Sequence, residues 1–187
     1  MEESVDCGCG LVPAGAEGRI GESVTEENGN FGSAVEEMQS SAAGGEESLR
    51  RQIAAAFPQK KVDVRTYSPL ALAFLGDGVY SLIIRTIVVE KGNRQAEKLH
   101  NETRELVSAK AQARIGVAIQ DLLTQEERQA YRRGHNASPE HHAKNATMQE
   151  YLEATALETL CGWLYLQDRT ERFLELLRAG MEACGLL

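Results

Sequence analysis

From Ser68 onward, apolar residues recur at helical spacing and no segment alternates as a half-buried strand would. Ser68-Pro69 is a helix start, a hydroxyl cap followed by a proline whose missing N–H costs nothing in the first turn. Leu70, Leu72, Ala73, Leu75, Val79, Leu82, Ile83 and Ile87 then place apolar side chains nearly all round, as a central helix requires. The β-branched run Ile83 to Val89 has strand propensity, but the length of the pattern and its upstream cap favour helix. Gly92-Asn93 breaks the element. A long helical stretch follows from about Arg94 to Leu123, with an interruption expected near Asn101. Thr124 and Glu127 form a capping-box pattern for a short helix ending before Gly134. Residues 134–146 read as a polar loop. Thr147 caps a helix running to about Gln167, and Asp168 opens a last amphipathic helix to about Cys184. The expected fold is all-α, a helical bundle without repeats or hairpins.

The N-terminal third reads differently. Residues 1–48 are rich in Gly, Ser, Ala and Glu, and such a segment cannot bury enough apolar surface to offset its ordering entropy. It is expected to be a disordered acidic extension. A short helix from about Ser48 to Phe57 and a polar linker at Lys60-Lys61 fill residues 49–67, and the domain proper occupies 68–187. Charge follows the same division. Residues 1–49 carry a net charge of -10 and residues 50–187 one of +2, so the total of -8 reports the tail. Acidity of the whole chain is therefore no argument against a nucleic-acid partner.

The four cysteines do not form a disulfide or zinc pattern. Cys7 and Cys9 lie in a tail without histidine, and Cys161 and Cys184 lie in helical patterns, so free thiols in a reducing cytoplasm are expected. The start of the chain has neither the basic residues nor the apolar run of a secretory signal, and its acidity is unlike a transit peptide. Asp77 and Arg85 interrupt the most apolar stretch, which is not read as a membrane span. The expectation is a soluble cytoplasmic protein.

Three features could carry chemistry. Asp77 sits between Gly76 and Gly78 inside the most apolar helix, where a carboxylate has to be paired, hydrogen-bonded or metal-bound. The glycines would let another backbone or a ligand approach. Its bland alternative is a cap on a neighbouring helix or a pair with Arg85. Glu158 lies in Ala154-Thr155-Ala156-Leu157-Glu158-Thr159-Leu160, a nearly uncharged run, and its alternative is a surface or paired glutamate. Two carboxylates on separate core-facing helices suit a hard divalent cation. The third feature is Arg132-Arg133-Gly134-His135-Asn136-Ala137 with Lys144-Asn145, suited to phosphate and sugar contacts, although by itself it reads first as an ordinary solvated loop. The adjacent His141-His142 are a weak metal signal.

Leu70–Arg85 (with Phe74-Leu75-Gly76-Asp77), Leu106–Ala113, Arg132–Ala137 and Glu150–Leu166 occur in that order. Together they resemble the ribonuclease III family, specifically its small branch, Mini-ribonuclease III, with His135 where an arginine is more usual. The resemblance covers about residues 68–184. It implies an all-helical endonuclease domain acting as a homodimer on double-stranded RNA, without an appended double-stranded-RNA-binding domain, since the catalytic helices end near Leu187. It implies Mg²⁺, with Mn²⁺ able to substitute, held by Asp77 and Glu158, and products with 5′-phosphate and 3′-hydroxyl ends. Arg133, His135, Asn136, Lys144 and Asn145 would contact RNA. Lys110 would stabilise phosphate, or else be a snorkelling surface lysine. In bacteria the branch is associated with maturation of precursor 23S ribosomal RNA, often with a ribosomal protein. The larger family uses four carboxylates; Ala73 and Thr155 stand where two of them would be, a loss the small branch shares. Two rivals remain at this stage: a non-catalytic RNA- or ribosome-binding module on the same fold, and a purely structural helical bundle.

Overall fold

A computed structural model describes residues 47–137 and 146–187. The tail over 1–46, with Cys7 and Cys9, and the loop residues His141, His142, Lys144 and Asn145 lie outside the described residues. Every element in the described part is helical: α1 (Leu49–Ala56), a 3₁₀ turn (Val64–Thr66), α2 (Pro69–Glu90), α3 (Ala96–Leu106), α4 (Ala109–Ala118), a second 3₁₀ turn (Gln120–Leu122), α5 (Gln125–His135), α6 (Met148–Leu166) and α7 (Thr170–Ala183).

The caps anticipated at Ser68, Thr124 and Thr147 form, and Ser48 adds one that was not. Ser48, Ser68, Thr124 and Thr147 each accept a hydrogen bond from the backbone three residues on, and Thr124/Glu127 and Thr147/Glu150 are complete capping boxes. Three boundaries differ from expectation. The stretch after Gly92 breaks at Val107-Ser108 rather than near Asn101, because the Ser108 hydroxyl caps a new helix by accepting from the Ala111 N–H. α5 continues through Gly134 to His135, because Gly134 packs flat on α6: a β-carbon there would lie 2.8 Å from the Ala156 Cα and 2.7 Å from the Thr159 Cβ. Asp168 does not open the last helix. It takes a left-handed turn conformation (φ 58°), and its carboxylate accepts from the Ser48 hydroxyl and the Arg50 Nε, both at 2.7 Å, which fastens α1 to the α6–α7 turn.

α6 is the axis of the bundle. α2, α4 and α5 all pack on it, the α2 contact being the most extensive. Leu72, Tyr80, Ile84, Ile115, Leu157, Leu160, Leu164, Phe173 and Leu177 fill the core. Glu127, wholly buried, accepts from Arg169 and Arg172 and so ties α5 to α7.

α2 is long and apolar enough to cross a membrane by length and composition, but here it is the helix against which α6 packs. It is not buried all round as its pattern suggests. Leu70, Phe74, Leu82 and Val89 are exposed, Phe74 at 86%, and form a lengthwise apolar stripe.

Candidate active site

Two glycines set the α2–α6 crossing. A β-carbon at Gly76 would stand 2.7 Å from the Glu158 carbonyl carbon and 2.9 Å from the Gly162 nitrogen, closer still to the Glu158 oxygen. One at Gly162 would stand 3.0 Å from the Leu72 carbonyl carbon. The helices therefore meet backbone to backbone, which brings Asp77 and Glu158 to one place. Gly78, by contrast, has nothing of this chain near its missing side chain.

Asp77 is exposed, which corrects the expectation of a core-facing carboxylate: the apolar residues around it in sequence belong to other faces of α2. Glu158 is half-buried. Burial, and next the charge of Asp77, push its carboxyl up to about 7, opposed by the nearby Gln112 amide. Neither carboxylate makes an ion pair among the described residues, and Arg85 bonds Ser81 instead of Asp77. Two adjacent, mutually repelling carboxylates without a protein cation are a donor set of hard oxygens that fits a divalent metal ion. Ala73 and Thr155 are 5% and 4% exposed. A charged carboxylate at either would have to be neutralised inside the core.

The remaining candidates are dispersed. Arg133 donates to the Tyr67 carbonyl at 2.6 Å, which fastens α5 to the segment before α2. His135 faces Glu153, its Nε2 3.3 Å from a carboxylate oxygen that also lies in reach of Gln149. Asn136 is exposed and lines a groove with Pro69, Gln125, Gln129, Arg132 and Arg133. Lys110 is exposed and shares a second groove with Glu150 and Glu153, which lie roughly 12 and 7.5 Å along α6 from Glu158 by helical rise.

Arg132 stood inside the basic motif read from the sequence without being singled out, and Gln112 escaped sequence reasoning. Arg132, exposed and without an ion pair among the described residues, is the free guanidinium of the first groove. Gln112 is buried beside Glu158. Its only signal in sequence is a polar residue set between alanines.

An all-helical bundle crossed at glycines, with a carboxylate on each of the two crossing helices, is compatible with the endonuclease domain of the ribonuclease III class. The model of the ribonuclease III domain matches residues 70–169. The chain is 43% identical to Mini-ribonuclease 3 of a Thermoanaerobacter species over 122 residues, 65% of this chain and 86% of the relative. It is 40% identical to that of Enterococcus faecalis over 125 residues, 66% of this chain and 95% of the relative. A crystal structure of a Fusobacterium nucleatum protein superposes with a TM-score of 0.59 at 32% identity, covering 66% of this chain and 98% of the other. The chain belongs to the ribonuclease III family, in its Mini-ribonuclease 3 branch, and is an endoribonuclease.

Proposed function

We propose that the protein cleaves double-stranded RNA with Mg²⁺, for which Mn²⁺ can substitute, at a centre built on Asp77 and Glu158. The observation that carries this reading is the meeting of two unpaired carboxylates at the Gly76–Gly162 crossing, one exposed to an incoming phosphate and the other half-buried. When bound, the cation supplies the Lewis acidity that activates a water and neutralises charge at the scissile phosphate. Asp77 and Glu158 would hold the cation through carboxylate oxygens. Glu158 would hold the cation in its carboxylate form. Products with 5′-phosphate and 3′-hydroxyl ends follow from water attack on phosphorus with the 3′-oxygen leaving.

The groove of Arg132, Arg133 and Asn136 provides cationic and amide contacts for the RNA backbone, with Lys144 and Asn145 following on the same loop in sequence. Lys110 serves as a more distant phosphate contact. His135 reaches RNA only by leaving Glu153. The exposed stripe of Leu70, Phe74, Leu82 and Val89 fits a second copy of the chain, so the working unit is a homodimer. Maturation of precursor 23S ribosomal RNA in the cytoplasm, assisted by a ribosomal protein, is the role we assign from the resemblance.

The decisive assay incubates duplex RNA with the protein in Mg²⁺ or EDTA, with a gel shift in Ca²⁺ as the binding control. Cleavage in Mg²⁺ only, lost in Asp77→Asn with the shift retained, is the expected result. Cleavage retained in Asp77→Asn overturns the site. A shift without cleavage in the wild type would favour a non-catalytic binding module.

A further inference from the structure

Gln112 lies in the first half of α4 and is 2% exposed. Its Nε2 makes no hydrogen bond, although buried amide donors are nearly always satisfied because an unpaired one forfeits its hydration without return. The other such atom among the described residues, the Arg94 Nε, belongs to a guanidinium already bonded to Glu102 and to the Val88 carbonyl. Gln112 has no comparable engagement. Its amide is turned toward the Glu158 carboxyl, where it is the group favouring the ionised form, yet it stops short of a hydrogen bond of good geometry.

We propose that Gln112 is a positioning residue of the metal site, whose buried amide holds one oxygen of the Glu158 carboxylate and so directs the other toward the divalent cation. This rests on the reading of Asp77 and Glu158 as ligands. The terminal torsion of a glutamate is broad, so a carboxylate without a second contact samples many orientations. A donor on one oxygen fixes that torsion, as partners behind metal ligands generally do. A neutral donor suits this place. A lysine would pair with the carboxylate and repel the metal, and a third carboxylate would add to the repulsion between Asp77 and Glu158.

The test uses Gln112→Leu and Gln112→Met, which keep the volume and remove the donor. Mn²⁺ binding is followed by electron paramagnetic resonance, and thermal unfolding is followed in EDTA. The expected result is unusual in sign: melting in EDTA unchanged or raised, because an unpaired donor leaves the core, together with Mn²⁺ affinity weakened about ten- to hundred-fold. Wild-type Mn²⁺ affinity in either folded variant overturns the proposal. So does a fall in EDTA melting temperature in both variants with affinity retained, which assigns Gln112 a packing role. Asp77→Asn and Glu158→Gln are measured alongside. If those two bind Mn²⁺ like the wild type, the ligand assignment fails and the role of Gln112 falls with it; if they lose binding while the Gln112 variants keep it, the Gln112 role alone is overturned.

Discussion

Gly76 presses its α-carbon against the main-chain carbonyl of Glu158, with no space between them for a methyl group. One residue on from that contact is Asp77, so the closest approach of α2 and α6 also brings the two carboxylates together. Gly76→Ala gains up to about 1 kcal/mol of helix propensity but forces a β-carbon into backbone that cannot rotate away. The clash dominates, and a net loss of about 3 kcal/mol is expected in thermal unfolding. Gly78→Ala, made in a monomeric Phe74→Glu background, should instead gain about 0.5–1 kcal/mol, since its β-carbon meets nothing in this chain. Equal destabilisation by the two would contradict the packing.

Protonation of Glu158 gives metal-free protein a distinct pH response. Its folded value of about 7 lies above the ordinary carboxylate value, so between about 4.5 and 7 the folded chain holds a proton that the unfolded chain releases. Stability in EDTA should therefore fall as pH rises through that window, by up to ~3 kcal/mol. Glu158→Gln should remove this part of the decline. Parallel stability curves for wild type and variant would show that Glu158 titrates normally.

Adjacent arginines should separate in their effects. Arg132→Gln is expected to leave the melting temperature unchanged and to reduce the slope of log affinity for duplex RNA against log salt by about one. Arg133→Gln loses the bond to the Tyr67 carbonyl and should cost about 1.5–3 kcal/mol of stability. Affinity in Ca²⁺ across several salt concentrations, with calorimetry, reads both.

Phe74 stands nearly free of its own chain. If a second copy covers the α2 stripe, Phe74→Glu places a charge in an apolar interface. Analytical ultracentrifugation should then give a dimeric wild type and a monomeric variant with unchanged helical circular dichroism. A variant that remains dimeric would move the interface elsewhere.

Glu127 joins helices rather than chemistry. Burial raises its carboxyl, but hydrogen bonds from Arg172 and the Thr124 N–H, with the charge of Arg169, outweigh that and hold it below the ordinary range. Glu127→Gln leaves two guanidinium groups without their shared anion and should cost roughly 2–4 kcal/mol in urea denaturation, less than a fully enclosed pair because both arginines reach solvent. Mn²⁺ affinity per folded molecule should not change.

Helix starts were legible in the sequence wherever the cap lay within a few residues of its partner, as at Ser68, Thr124 and Thr147. The all-α class followed from the same local chemistry. The two carboxylates stood out because charge is unusual in an apolar run, where burial would be costly. Ser108 was missed as a helix start because the apolar pattern continues across it without a break in periodicity. What local pattern could not decide is which face of a helix meets which neighbour. Asp77 is exposed, Gly76 and not Gly78 makes the close contact, Arg133 is bonded where Arg132 is free, and the plain-looking Gln112 stands behind Glu158. Each of these depends on how α2, α4 and α5 dock on α6, joining residues far apart in the chain. Periodicity marks an apolar face, but only close packing chooses its partner.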